Sequence, residues 1–183
     1  PPQKLRDFCS PLSPMQFNDL YCLSRDEVHT LSLGASRPSD FDEHVEGMKW
    51  YDDRKAITSD IATKIYKEVD AQFVPGWHKT YAAGVPVQDR APGGINIREI
   101  LRLYTWAKAM DMVEYAKSRY NMFSNGSDWF PGDSPEGFDE KAMADALVLS
   151  PHRDRIMGYL HDAHELLKGE EVKRQSETEK EDT

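Results

Sequence analysis

The sequence predicts a mainly α-helical protein in which one helix–strand–helix unit precedes a helical domain. Two observations carry this prediction. Apolar residues recur at helical spacing through most of the chain after residue 56, and only the short segment 28–33 alternates as a strand does. The chain has 183 residues, 39% of them hydrophobic, which is enough for the core of one domain with appendages.

The helix–strand–helix unit is predicted from the residues at the ends of its elements. Ser13 is a suitable N-cap and Pro14 a suitable first residue for a helix over 15–23. The alternating run Val28–Leu33 predicts a strand, and Gly34 ends it. A lone parallel strand leaves N–H and C=O groups unpaired on both edges, so this one requires neighbours that the rest of the sequence does not predict.

Helices account for most of the remaining sequence. Apolar residues at every fourth position predict a helix over Ile57–Phe73, and a Gly- and Pro-rich connector follows it. The apolar pattern then predicts one long helix over Ile95–Phe123. Two shorter helices are predicted, over Asp139–Leu149 and Pro151–Leu167. The corresponding domain ranges are 1–50, 51–168 and a charged tail over 169–183, which is expected to be disordered.

Charge and cysteine content narrow the classes of function and compartment. The net charge of −9 disfavours nucleic-acid binding, because an acidic surface repels phosphate backbones. No run of 18–20 apolar residues predicts a transmembrane segment, and no signal peptide is visible. The two cysteines, Cys9 and Cys22, are expected to be free thiols. We therefore expect a reducing compartment, either the cytoplasm or the interior of a plastid or mitochondrion, and not secretion.

The turn between the predicted strand and the next helix is the main candidate site. Gly34, Ser36 and Arg37 precede a helix that is expected to begin near Pro38, with Ser36 as its candidate cap. Backbone N–H groups at such a turn can bind an anion, and a guanidinium can bind phosphate through two hydrogen bonds. An ordinary capped turn between a strand and a helix would have the same sequence pattern, so this pattern leaves both interpretations open.

The segment VHTLSLGASRPSDFDEH, residues 28–44, resembles the last barrel strand and following helix of the aldo/keto reductases. In that family the segment binds the 2′-phosphate and adenine of NADP(H). By this resemblance Gly34, Ser36 and Arg37 match the phosphate turn, and Asp40, Glu43 and His44 match the helix positions that face the adenosine. Asp40 stands where the family more often has glutamine.

Motifs further along the chain are similar to a subgroup of these reductases that is common in cyanobacteria. The resemblance runs from about Pro1 to Arg174, and the order and spacing of the motifs carry it. The motifs are Gly94-Ile95-Asn96-Ile97, Tyr115 with Arg119-Tyr120-Asn121, Trp129-Phe130-Pro131-Gly132, Ser150-Pro151-His152 and Ala163-His164-Glu165-Leu166-Leu167, with Gly169-Glu170-Glu171-Val172-Lys173-Arg174.

The resemblance implies that the chain is the remnant of the end of a (β/α)8 barrel followed by a helical C-terminal domain. It implies NADP(H) as cofactor if the full barrel is present, and none otherwise. The family's catalytic Asp, Tyr, Lys and His come from earlier barrel strands, so no catalytic residue is assigned here.

The first hypothesis for the function is therefore that the chain is the C-terminal part of an NADP(H)-dependent oxidoreductase and is not catalytically competent alone. The alternative is a non-catalytic accessory subunit of a larger protein complex. The expected partners are other protein chains or the missing barrel half.

Two other side-chain sets have simpler explanations. His161, His164 and Glu165 share a helix face and could hold a metal ion, but a solvated face is the expected interpretation, and no metal site is assigned. Four aromatic residues stand at helical spacing and are expected in the core rather than on a stacking platform: Tyr104, Trp106, Tyr115 and Tyr120.

Overall fold

The computed structural model describes residues 1–35, 37–125 and 130–169. Over these residues the chain is mainly helical, as predicted, and contains no strand; its one sheet-like pairing is a parallel bridge between Ile95 and Asp133. The chain divides into two compact units, Pro1–Glu68 and Val69–Thr183. The predicted disordered tail from residue 170 onward lies outside the described residues, as does the predicted cap Ser36.

The first unit begins with two helices in the predicted order. Ser13 caps the second one, where the N–H of Gln16 donates to Ser13 Oγ (3.1 Å) and the N–H of Ser13 donates to Gln16 Oε1 (3.0 Å). This reciprocal pair satisfies backbone donors that the first turn of a helix leaves without partners. The elements are α1 (Gln3–Cys9), α2 (Pro14–Leu23), a 3-10 turn (Pro38–Phe41), α3 (Asp42–Gly47), a 3-10 turn (Met48–Trp50) and α4 (Arg54–Gln72), which ends in the second unit.

The strand predicted over Val28–Leu33 is absent from the structure. These residues have no regular secondary structure, and the stretch 29–35 is mostly exposed. The physical reason is the one that makes a lone strand costly, since a strand exists only when another strand pairs with its backbone. The described residues provide no such partner.

The second unit consists of five helices and two 3-10 turns within the described residues. Its core surrounds Trp77, which is fully buried and donates from Nε1 to Thr105 Oγ1 at 2.9 Å. Phe73 stacks on Trp77 with ring centroids 5.0 Å apart, and Tyr104 lies beside them. Tyr104 and Tyr120 are buried as predicted, whereas Trp106 and Tyr115 are only half-buried. The helices are α5 (Trp77–Thr80), α6 (Ile97–Met110), α7 (Val113–Tyr120), α8 (Glu140–Ala146) and α9 (Arg153–Leu167), and the turns are Gln88–Arg90 and Pro92–Gly94.

The prediction of a single helix over Ile95–Phe123 is wrong. The helix ends at Met110 because Asp111 adopts a left-handed conformation with φ 56°, and the N–H of Met112 donates back to the carbonyl of Trp106 at 3.3 Å. Such a residue terminates a helix, usually as glycine. A new helix begins at Val113, and both helices bury apolar side chains, so the sequence pattern continues across the break.

Two further features bear on the chemistry of the chain. No helix among the described residues combines the length and apolar character needed to cross a bilayer. Cys9 and Cys22 are both free thiols, as expected. Cys9 is buried, and burial raises the pKa of its thiol to about 11 because the thiolate is poorly solvated there.

Gly84 provides a test of the packing between the connector and the turn after α8. Its φ is +67°, and a Cβ at this position would lie 2.2 Å from the carbonyl oxygen of Leu149. We expect Gly84→Ala to lower the free energy of unfolding by about 1–2 kcal/mol from the left-handed backbone and by roughly 1–3 kcal/mol more from the overlap. Urea unfolding followed by circular dichroism measures the total loss of free energy of unfolding.

Gly137→Ala is the matched control for this prediction. Gly137 has a similar φ of +63°, but a Cβ there would meet nothing within 4 Å. It should show only the backbone cost. Equal destabilisation by the two variants would contradict the close approach of Gly84 to Leu149.

Candidate functional site

The turn that the sequence predicts as a phosphate site lies on the surface of the first unit. Gly34 is exposed, and a Cβ at this position would meet nothing within 4 Å. The side chain of Arg37 is 78% exposed. Ser36 falls outside the described residues. Among these predicted residues, the turn therefore presents one exposed guanidinium beside a stretch of backbone that is open to solvent.

Arg37 and Asp40 form a local ion pair at the start of the 3-10 turn Pro38–Phe41. Arg37 Nε donates to Asp40 Oδ1 at 3.0 Å, and the backbone N–H of Arg37 donates to Asp40 Oδ2 at 3.2 Å. The carboxylate of Asp40 thus satisfies a backbone donor and offsets the charge of the guanidinium. An anion that binds Arg37 has to compete with this carboxylate.

Glu43 points towards α2. The hydroxyl of Ser13 donates to the Glu43 carboxylate, and Gln16 Nε2 donates to the Glu43 carbonyl oxygen at 3.3 Å. Gly47 allows α3 to approach this part of α2, because a Cβ at Gly47 would lie 3.1 Å from Gln16 Cγ. The side chain predicted to face an adenosine instead contributes to holding α3 against α2.

His44 also faces α2, where it pairs with Asp19. The distance from His44 Nδ1 to Asp19 Oδ2 is 2.5 Å, and the side chains are 11% and 2% exposed. The second carboxylate oxygen, Asp19 Oδ1, is buried with no hydrogen-bond partner among the described residues. Asp19 was not among the site residues predicted from the sequence. Its signal was available, since Asp19 is the one charged residue of α2 and therefore the residue in that helix most in need of a partner.

The geometry sorts the predicted site residues into two groups. Arg37 and Asp40 meet each other on an exposed surface, whereas Glu43 and His44 join α3 to α2. The outward group can bind an anion through the guanidinium. The exposed Glu43 and the buried His44 together fix the position of the helix that follows the turn.

The alternative metal site on α9 does not assemble. His164 Nδ1 hydrogen-bonds with the Tyr120 hydroxyl at 2.7 Å, and His161 lies 3.5 Å from Glu140. Glu165 pairs with Lys168 at 2.6 Å, and that hydrogen bond and charge hold the pKa of Glu165 below its ordinary value. The side chains of these helix positions therefore have separate protein partners.

An open depression of about 700 Å³ lies in the second unit. Asp133, Glu136 and Asp139 line it together with apolar residues, including Phe138. Asp139 has a structural role, since its Oδ1 accepts the backbone N–H groups of Lys141 and Ala142 at the start of α8. The depression is acidic, so it does not suit an anionic cofactor.

No family model, no curated protein and no solved structure matches this chain. The resemblance read from residues 28–44 and the later motifs therefore stays a prediction.

The Asp19–His44 pair leads to a test of how α3 is held. His44→Leu leaves the buried carboxylate of Asp19 with no partner among the described residues, so we expect the free energy of unfolding to fall by about 3–5 kcal/mol. Urea denaturation at neutral pH measures the loss.

The double variant Asp19→Leu/His44→Leu is the control. It removes both polar groups, so it should be markedly more stable than His44→Leu alone. If the double variant is the less stable of the two, the pair does not account for the loss.

Proposed function

We propose that this chain is the C-terminal part of an NADP(H)-dependent oxidoreductase of the aldo/keto reductase type. In this proposal hydride transfer belongs to the rest of the barrel. This part contributes the last strand, the turn that binds the cofactor 2′-phosphate and a helical appendage. The chain alone is not catalytically competent, because the family's catalytic side chains come from earlier barrel strands.

The observation that carries the proposal is the exposed segment between α2 and the 3-10 turn Pro38–Phe41. Residues 29–35 lie mostly at the surface and have no strand partner in the described part of the chain, although the run over Val28–Leu33 alternates as a strand does. A neighbouring strand of a barrel would pair with this backbone and bury it. The proposal therefore explains both the strand-like sequence and the absence of a strand among the described residues.

Exposed apolar side chains beside this segment support the same interpretation. Leu33 is 36% exposed and Phe41 is 41% exposed. Phe41, Val45 and Met48 are spaced so that they share one side of a helical segment, and all three are exposed. An exposed apolar row of this kind is what a contact with further protein would cover, so it supports the proposal.

Arg37 would bind the 2′-phosphate, and Asp40 would modulate that contact. The guanidinium is the exposed cation of the predicted turn and suits a phosphate dianion. Asp40 already pairs with Arg37, so a phosphate would bind at the expense of this ion pair.

The test compares NADPH with NADH in the full-length protein. We expect Arg37→Ala to weaken NADPH binding by about 10- to 100-fold, from the loss of charge-assisted hydrogen bonds to the 2′-phosphate. NADH has no 2′-phosphate, so its affinity should change little. Fluorescence titration of both nucleotides measures the difference.

Lys49→Ala is the matched control, because Lys49 is another exposed cation of the first unit and pairs with Glu46. It should leave both affinities nearly unchanged. Arg37→Ala with unchanged NADPH binding, or with equal losses for both nucleotides, would count against the proposed phosphate site.

A second candidate function is that of a non-catalytic accessory subunit. The first unit carries seven of the ten large hydrophobic side chains found exposed among the described residues, and such a concentration is typical of a subunit interface. The mass of the protein purified from its native source separates the two candidates. A mass near 21.0 kDa within a large complex favours the accessory subunit, and a mass larger by the missing barrel favours the reductase.

A further inference from the structure

We infer that the turn after α8 is the tip of a surface that binds anionic lipid bilayers. In this inference Val148 and Leu149 enter the bilayer interface, while Arg153 and Arg155 meet the phosphates of the lipid head groups. All four residues belong to the second unit, so the inference goes beyond the proposed function and does not rest on it.

The tip carries aliphatic side chains that project from the protein. Leu149 is 81% exposed, the largest value among the large hydrophobic residues of the described chain, and Val148 beside it is 62% exposed. Val87 is also exposed and stands three residues from Gly84, which touches the turn, so its backbone lies within about 10 Å of that contact. Side chains that project so far are available to an apolar phase outside the protein.

The backbone beneath the tip is held by the connector between α5 and α6. A Cβ at Gly84 would lie 2.2 Å from the carbonyl oxygen of Leu149 and 2.7 Å from the backbone nitrogen of Ser150. At the base of the turn, Thr80 Oγ1 lies 2.7 Å from His152 Nε2. A tip that is already held in place loses little conformational freedom when it inserts, so more of the apolar contact contributes to binding.

Guanidinium groups lie beside this tip. Arg153 and Arg155 are exposed at the start of α9, directly after the turn. Burial, and after it the charge of Arg155, lower the pKa of His152, so the Arg155 guanidinium lies near that ring. On the connector side, Arg98 Nε donates to the carbonyl of Val85 at 2.9 Å, next to Gly84. Arginine side chains in this position suit the phosphates of lipid head groups.

The local charge is positive although the whole chain carries a net charge of −9. The segments 79–98 and 145–155, which meet at the tip, contain five Lys or Arg side chains and three Asp side chains. Charges more than about 10 Å away are largely screened at 0.1 M salt, so an approaching bilayer responds mainly to these segments. The cations are Lys79, Arg90, Arg98, Arg153 and Arg155, and the carboxylates are Asp89, Asp145 and Asp154.

The size and shape of the tip favour a bilayer over an acidic protein surface. A stable protein interface buries about 800 Å² on each partner. The second unit offers three exposed large hydrophobic side chains within its described residues, and two of them project from one turn. A bilayer needs no matching pocket, because aliphatic side chains enter it singly while nearby cations stay at the head groups.

The test is co-sedimentation of the full chain with vesicles of phosphatidylcholine alone and with vesicles that also contain about 30% phosphatidylserine. We expect the protein to pellet with the anionic vesicles and much less with the neutral ones, because only anionic lipids attract the guanidinium groups. Raising the salt concentration from about 0.1 M to about 0.5 M should weaken the binding to anionic vesicles.

Two variants separate the apolar contribution from the charged one. Leu149→Ser should weaken binding to anionic vesicles by about 10- to 100-fold, because a leucine side chain no longer enters the interface. Arg153→Gln/Arg155→Gln should weaken it by about 10- to 30-fold, because two attractive charges are lost. All three side chains are exposed, so circular dichroism should show unchanged helix content.

Val45→Ser is the matched control, because Val45 is a 68% exposed aliphatic residue of the first unit and should not affect the binding. Failure of the unaltered chain to pellet with anionic vesicles overturns the inference and leaves an acidic protein surface as the partner for these charges. Equal losses from Leu149→Ser and Val45→Ser also overturn it, since the turn after α8 would then have no special role. Unchanged binding of the double arginine variant overturns it as well.

Discussion

The position of α3, and with it the position of the candidate turn, depends on the hydrogen bond between the buried carboxylate of Asp19 and the ring of His44. A short helix of six residues has too few internal hydrogen bonds to be stable by itself, so α3 needs tertiary contacts. Ser13 and Gln16 add two hydrogen bonds on the same side, and Gly47 removes the side chain that would keep the two helices apart. The segment between α2 and α3 is consequently held at both ends, although its described residues form no β-sheet hydrogen bonds.

The second unit is organised around a different kind of contact. Trp77 fills its core, and the indole N–H is satisfied by Thr105, whose own hydroxyl donates to the carbonyl of Leu101 one turn earlier in α6. The burial of a large ring thus carries no unpaired polar group. The contrast with the first unit is chemical: one unit buries a charged residue with an incompletely satisfied carboxylate, and the other buries a polar aromatic residue that is fully satisfied.

The sequence predicts those features that depend on local chemistry. The start of α2 follows from Ser13 and Pro14, and the helix that runs through Ile61 and Ile65 follows from their spacing. The break at Asp111 was missed because a left-handed residue is usually glycine and because the apolar pattern runs on past it. The strand at 28–33 was predicted from local alternation, but a strand is a property of a pair of segments, and no single segment encodes its partner.

The candidate site shows the same division between contacts that are local in sequence and contacts that join distant segments. The ion pair of Arg37 and Asp40 is a contact at i, i+3 and lies within the reach of sequence reasoning, whereas the pairing of Asp19 with His44 joins residues 25 positions apart. A histidine in a matching motif position can point outward or inward, and the helix packed behind it decides which. The partner of His44 therefore had to be read from the packing of α2 against α3.

The contact between Gly84 and the carbonyl of Leu149 has a consequence for how such chains can change over evolutionary time. Two loops that lie 65 positions apart in sequence touch through backbone atoms alone, at a distance that admits no side chain. A change in the length or the backbone path of one loop therefore requires a matching change in the other. Among relatives of this chain, a residue other than glycine at position 84 should be found together with a rebuilt turn after α8, so the two loops should vary as one inherited unit.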